Sequence, residues 1–378
     1  MKIAYIAKEN VLNTSEWSGL SNAIYNCLKK TKFKVFLIHK FPNFFRKFLQ
    51  IIEIFYRLFD IKYDPDRNKL LNKFYAYWIE KKIKNQNFDY LIFHDTPLIS
   101  YLNTNIPIIL WTDLTFDLFY KTYFNKFKKF HKKSVQNGLY LDQIAFKKID
   151  KFFIPSMYVK KNLQSVYNIN KKKIYIIPFA SNFKSKIKSH NLKKIINNKI
   201  LEKQKCIRFL SVGVDWLRKG MNDSIKFIEI LKKNKINARI DIVGSNPPNP
   251  IKKKYIFCHG YLKKNNKNDL ITLRKLYSNA HYFLLLSNAE AFGIVFQEAC
   301  SYALPIITKN IDGIKNATPN KTTIYSNKKI NFNFLLQKFK KVNNLNKNYA
   351  FISMHNYNYF KQNNWILISQ NIKKILIK

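Results

Sequence analysis

Two glutamates, Glu290 and Glu298, lie within Ser287-Asn-Ala-Glu-Ala-Phe-Gly-Ile-Val-Phe-Gln-Glu-Ala299. An apolar run reading as a strand precedes this stretch and a helical pattern follows it, which puts Glu290 in a loop and Glu298 inside a helix. Gly293 lets the backbone come close to a ligand. The amides at the helix start, near Ile294 and Val295, have no intrahelical acceptors and suit a diphosphate. A carboxylate further into that helix could take two vicinal hydroxyls, such as those of a ribose. The plainer alternative is a pair of solvated acids at a helix end. Upstream, Arg218 and Lys219 form a cation pair at a strand-to-helix turn, suited to a diphosphate that gains charge as it leaves. An exposed basic turn in a Lys-rich chain is the alternative there.

Other candidates lie in the first half of the chain. Gly19, in Glu16-Trp-Ser-Gly19, precedes a helix and could bring backbone amides to phosphates; equally, Ser18 could cap that helix. Asp113 follows a strand in Leu110-Trp-Thr-Asp-Leu-Thr-Phe116, and His94-Asp95 ends another strand. A lone histidine is more often structural than functional. Asp64-Pro-Asp66 has the D-x-D spacing of a metal–diphosphate motif. It falls between two helical patterns, however, where Asp66 is more naturally a cap for a helix over 68–84. The seven histidines include no H-x-H or H-E-x-x-H, and the four cysteines no C-x-x-C. The expectation is no catalytic metal, no cofactor and no disulfide framework.

These side chains need strands and helices to hold them. Short β-rich apolar runs alternate with helical patterns, as in parallel α/β proteins. Strands are expected at 2–7, 34–39, 89–94, 107–110, 152–155 and 174–177, with helices over 19–30, 44–59, 69–84 and 132–148. A Lys- and Asn-rich segment, 184–204, reads as an interdomain linker with an exposed helix. The alternation restarts with strands at 207–212, 239–243, 255–258, 281–285 and 305–308. The expected architecture is α/β: two doubly wound, Rossmann-like domains, 1–183 and 205–356, facing across a cleft at the carboxyl ends of their strands. A terminal segment, 357–378, carries a periodic helix expected to pack back on the first domain.

The 378 residues fit two or three domains. Lys plus Arg is 68 and Asp plus Glu 22, so 68 − 22 gives a formal charge of +46, while 47% apolar and 16% aromatic residues exclude disorder. Only seven of the cations are Arg, and the lysines are dispersed. Specific nucleic-acid recognition is therefore disfavoured, whereas attraction to an anionic membrane surface is expected. The start lacks a signal-peptide core, and no window approaches the roughly 20 apolar residues of a membrane span. A cytoplasmic location is expected, peripheral to the inner face of the membrane. The stretch over 41–59 is unusually aromatic; a core helix is the favoured reading and a membrane-surface helix the alternative.

The spacing Glu290-x7-Glu298 inside E-A-F-G-I-V-F-Q-E-A resembles the E-x7-E signature of retaining GT-B glycosyltransferases, in particular glycosyltransferase family 4. Phe209-Leu-Ser-Val-Gly-Val-Asp-Trp-Leu-Arg-Lys-Gly-Met221 is similar to that family's glycine turn followed by Lys-Gly. Ala303-Leu-Pro-Ile-Ile-Thr308 and Ile176-Ile-Pro-Phe-Ala-Ser-Asn182 also resemble family segments, in the same order. The resemblance implies transfer of a sugar from a nucleotide-sugar donor to the hydroxyl of a carbohydrate or lipid-linked acceptor, with retention. It implies that Lys219 and Arg218 neutralise the leaving diphosphate and that Glu290 contacts the transferred sugar. Phe292 and Gly293 would present amides, Glu298 would bind the ribose, and Gly260, Tyr261 and Leu262 would lie beside the base. Gly19 would approach the phosphates from the other domain, and Asp113 stands on the acceptor side. Many relatives carry Gly-Arg where this chain has Gly213-Val214, leaving Arg218 as the substitute. The leaving phosphate itself would take the acceptor's proton, so no strong base is needed. Two other readings are a non-catalytic nucleotide-sugar-binding subunit and a basic nucleic-acid-binding protein.

Overall fold

The computed structural model describes the chain apart from residues 14–15, 125–128, 183–184, 186 and 378. The chain divides into two compact units, one of Met1–Pro178 with Ile368–Lys378 and one of Phe179–Leu367.

In the first unit the strands are β1 (Lys2–Ile6), β2 (Lys34–Ile38), β3 (Ile61–Lys62), β4 (Tyr90–Phe93), β5 (Ile108–Trp111), β6 (Lys129–Phe130), β7 (Lys151–Ile154) and β8 (Ile174–Ile176). Six of them form a parallel sheet in the order β2-β1-β4-β5-β7-β8, and β3 pairs with β6 alone. Ile3, Ala4, Tyr5 and Ile6 are all fully buried, as a continuous apolar run requires of a strand covered on both faces. The helices are α1 (Leu20–Lys30), α2 (Phe44–Arg57), α3 (Lys69–Ile83), α4 (Pro97–Ser100), α5 (Phe116–Tyr123), α6 (Lys132–Phe146) and α7 (Met157–Ser165).

Three expectations for this unit are corrected. α2 is not a core helix: Leu49 is its only buried residue, while Phe44, Phe48, Ile51, Phe55 and Leu58 are between 55% and 79% exposed. The 3.6-residue period gives α2 an apolar stripe, but nothing in the period says that the stripe is covered. Ser18 does not cap α1, because it has a left-handed backbone (φ 54°) and Gly19 occupies the N-cap without a side-chain hydrogen bond. Asp66 does not cap α3; Asn68 does, accepting from the Leu71 amide at 3.0 Å.

The second unit restarts the pattern with α8 (Leu192–Lys205), β9 (Ile207–Val212), α9 (Met221–Lys233), β10 (Ala238–Val243), β11 (Ile256–Cys258), α10 (Lys267–Asn279), β12 (Tyr282–Leu285), α11 (Ile294–Ser301), β13 (Ile306–Lys309), β14 (Ile324–Ser326), α12 (Phe332–Asn343) and α13 (Asn346–Gln362). Its sheet is again parallel, in the order β11-β10-β9-β12-β13-β14. Phe209 of β9 stacks on Tyr282 of β12 at 5.4 Å, and Phe339 of α12 closes over both. The final helix, α14 (Trp365–Ile377), crosses the division, its residues from Ile368 grouping with the first unit.

The segment expected to be a linker is built into this second unit. α8 packs on α13 and β9, and Lys203 donates to the Asn343 carbonyl at 2.6 Å. Lys199, 4% exposed, donates to the carbonyls of Ala280 (2.8 Å) and Tyr302 (3.4 Å), which close α10 and α11. Burial lowers its pKa to about 7. Above that pH the unfolded chain, with an ordinary lysine, holds more protons than the folded one, so stability should rise with pH between 7 and 10.5. In urea titrations, wild type should gain up to about 2 kcal/mol over Lys199→Met between pH 7 and pH 9. A pH-independent difference would show that the Lys199 ammonium is not desolvated.

Candidate functional site

In the second unit, β9 and β12 are neighbours from which the strand order runs outwards in both directions, a topological switch point where doubly wound sheets hold ligands. The loops leaving both strands are stitched to each other. After β9 the chain turns at Gly213, where a Cβ would stand 2.6 Å from Lys219 Cγ; glycine is what lets the lysine stem lie across the turn. Lys219 Nζ then reaches Glu290 Oε1 at 2.5 Å, and Ser287 Oγ donates to the same oxygen at 2.9 Å. Arg218 Nη1 lies 3.8 Å from Glu290 Oε2 and donates to the Ala289 carbonyl at 3.3 Å. Burial pushes the Lys219 ammonium down from its ordinary pKa, and the Glu290 carboxylate opposes this.

Backbone bonds complete the stitching. The Asn288 amide donates to the Arg218 carbonyl and its side-chain amide to the Leu217 carbonyl, both at 2.7 Å. Lys309, at the end of β13, donates to Asn288 Oδ1 at 2.5 Å and to Asp223 Oδ2 at 2.8 Å. Gly313 presses from the other side: a Cβ there would stand 1.8 Å from the Glu290 carbonyl oxygen. Ser287, Asn288, Lys309 and Gly313 escaped sequence reasoning, because only the fold brings their partners together.

α11 follows Gly293, a left-handed N-cap (φ 85°) that leaves the amides of Ile294 and half-buried Val295 without intrahelical acceptors, while the Phe296 amide donates to the Gly293 carbonyl at 3.0 Å. Phe292 is buried edge-on against Phe179 at 5.6 Å. Glu298, in the same helix, is 0% exposed. Its Oε2 accepts from Tyr277 at 3.0 Å and its Oε1 from Lys264. Neither partner lies within helical spacing of Glu298, so neither left a signal in the sequence. Gly260 accepts from the Gly244 amide at 2.7 Å, Tyr261 is exposed and Leu262 half-buried.

The first unit has its own switch point, between β1 and β4. There a cavity of about 310 Å³ is lined by residues that include Glu9, Trp17, His94, Asp95, Asp113 and Asp142. His94 Nε2 meets Glu9 Oε1 at 2.5 Å, its Nδ1 meets the Tyr5 hydroxyl at 3.0 Å, and Trp17 stacks on its ring at 5.0 Å. Trp17 Nε1 donates to Asp113 Oδ2 at 3.4 Å. Burial raises the carboxyl pKa of Asp113, and pushes that of Asp142 up to about 7. Gly19 sits at the amino end of α1 with φ 77°. The D-x-D carboxylates face cations: Asp66 pairs with Lys8 (2.9 Å) and Arg46 (2.8 Å), and Asp64 with Arg67 (3.3 Å). Among the described residues no group of three His, Cys, Asp or Glu is placed to hold a metal ion.

Two parallel, doubly wound units, each with side chains gathered at its switch point, define the GT-B class of fold. Solved structures agree at the level of the fold. WaaG, a glycosyltransferase involved in lipopolysaccharide biosynthesis, is 14% identical over 99% of both chains with a TM-score of 0.66. The sucrose-phosphate synthase of Thermosynechococcus elongatus is 12% identical over 99% of this chain and 98% of its own, with a TM-score of 0.67. Anabaena HepE, solved with UDP-glucose, is 11% identical over 100% of this chain and 99% of its own, with a TM-score of 0.63. Residues 193–350 match the family described as Glycosyl transferases group 1. No curated protein matches the chain. The family match and the fold together support a glycosyltransferase.

Proposed function

We propose that the chain transfers a hexose from a nucleotide-sugar to an acceptor hydroxyl with retention of configuration, the second unit holding the donor. The observation that carries this reading is the cation pair Arg218–Lys219 fixed against Glu290 beside the start of α11, within the segment that matches the glycosyltransferase family. Preset cations and unpaired helix amides stabilise charge growing on a diphosphate without reorganising at the moment of reaction. Glu290 steers the sugar, and Glu298 accepts from the ribose hydroxyls. The acceptor proton passes to the leaving phosphate, and the two cations do the work of a metal. Turnover separates this reading from a non-catalytic nucleotide-sugar-binding subunit.

A nucleoside diphosphate at a hundred times its Kd should stabilise the protein by about 2.7 kcal/mol, and EDTA should leave the rise in Tm unchanged. Loss of the shift in EDTA would reinstate a metal.

Lys219→Gln and Glu298→Gln should fail differently. Lys219 faces charge that grows towards the transition state, so kcat should drop on the order of 10²–10³. Glu298 holds groups that do not react, so its loss is uniform binding and should raise the donor KM. A charged hydrogen bond worth about 1.5–3 kcal/mol corresponds to roughly tenfold or more in KM. Equal, small effects in steady-state assays would move the reacting centre elsewhere.

The same reading places the enzyme on the cytoplasmic face of a membrane, in cell-surface glycan or glycolipid synthesis. Support comes from the exposed apolar stripe of α2, flanked by exposed Lys47 and Arg57 on a chain of charge +46. Phe48→Glu should abolish co-sedimentation with anionic vesicles while changing stability by no more than about 0.5 kcal/mol, as at other exposed positions. Unchanged sedimentation would exclude α2 as the contact.

A further inference from the structure

We propose that Lys264 gates the ribose subsite: its ammonium covers Glu298 in the ligand-free protein and must swing away before a vicinal diol can reach that carboxylate. The inference rests on the donor reading given above. Glu298 is 0% exposed, so a ligand hydroxyl, which needs to come within about 3 Å of a carboxylate oxygen, has no path to it while the present contacts last.

The two contacts differ in mobility. Tyr277, which bonds Oε2 at 3.0 Å, is fully buried in a stack between Phe283 at 6.1 Å and Tyr302 at 5.2 Å. It has nowhere to go. Lys264 reaches Oε1 from a turn on the surface, and its side chain is 29% exposed. The turn itself is pinned on both sides: the Lys263 amide donates to Asp269 Oδ2 at 2.8 Å, the Asn266 amide to the Lys263 carbonyl at 3.0 Å, and Asn266 caps α10. What is left to move is the lysine side chain, an ammonium on a flexible four-carbon stem.

Opening this gate costs the ion pair, and only a ligand that offers hydroxyls to Glu298 recovers the cost. Lys264 therefore lowers the apparent affinity for ribonucleotides, as a closed state does for any ligand that needs the open one. It leaves ligands that never reach Glu298 unaffected.

Three probes separate these cases in calorimetric titrations: the ribonucleoside diphosphate that most raises the Tm of the wild type, its 2′,3′-dideoxy counterpart, and inorganic pyrophosphate. Lys264→Ala should bind the ribonucleotide about fivefold more tightly, the worth of a partly exposed ion pair. Binding of the other two should match that of Lys263→Ala, a control for losing one charge from the same turn. Lys264→Arg keeps the cover and should bind like wild type, which shows that the turn still folds. Unchanged or weaker ribonucleotide binding by Lys264→Ala, or equal tightening of all three probes, would overturn the gate alone. Absence of ribonucleotide binding to every folded protein would remove the donor reading and the gate with it.

Discussion

The buried ion pair between Lys219 and Glu290 holds the second unit's site in place. Removing two charges from water costs several kcal/mol for each, and their attraction offsets this only with close geometry and further hydrogen bonds. Ser287 supplies one such bond, and Gly213 and Gly313 give the lysine stem and the Glu290 backbone the space they need. Asn288, itself held by Lys309, locks the two loops edge to edge. The positions of Arg218 and of the approach to α11 follow from that lock together with bonds inside each loop, among them the Arg218 amide donating to Asp215 Oδ1 at 3.0 Å.

The first unit shows how little net charge says about a site. On a chain with three cations for every acid, the cavity beside β1 and β4 gathers Glu9, Asp95, Asp113 and Asp142. Its cations are already engaged: Lys8 with Asp66 and Asp95, and Arg67 with Asp64. Asp113 and Asp142 have no ion-pair partner among the described residues, and Asp142 Oδ1 is buried without a hydrogen bond. The D-x-D aspartates, which resemble a metal motif in the sequence, are counter-ions to Lys8, Arg46 and Arg67.

Much of the fold was legible because it is written locally. Apolar runs mark the longer strands, of four to six residues, whereas the short β3, β6 and β14 leave no such run and were not expected. The same locality made the Glu290–Glu298 spacing and the Arg218-Lys219 turn readable. What each carboxylate touches was not, since Lys264 and Tyr277 stand 34 and 21 residues from Glu298. α2 failed for another reason: periodicity reports that a helix has an apolar side, not what lies against it. Ser18 failed because a good capping residue cannot cap from a left-handed backbone. The Lys/Asn-rich composition of α8 hid the few residues, Leu192, Ile196, Lys199 and Lys203, by which it is packed.

The chain passes between its two units twice, once at Pro178 and again inside α14. The second unit is thus an insertion in the sequence of the first, tethered at both ends. During synthesis the ribosome completes all of it before releasing Ile368 onward, the last piece grouped with the first unit. Domains made early usually fold early, but here the earlier one receives a segment that is made only after the later one. A single proteolytic cut at Pro178 would leave Met1–Pro178 held to the rest of the protein only by its packing with the residues from Ile368 onward, which stay covalently attached to the second unit.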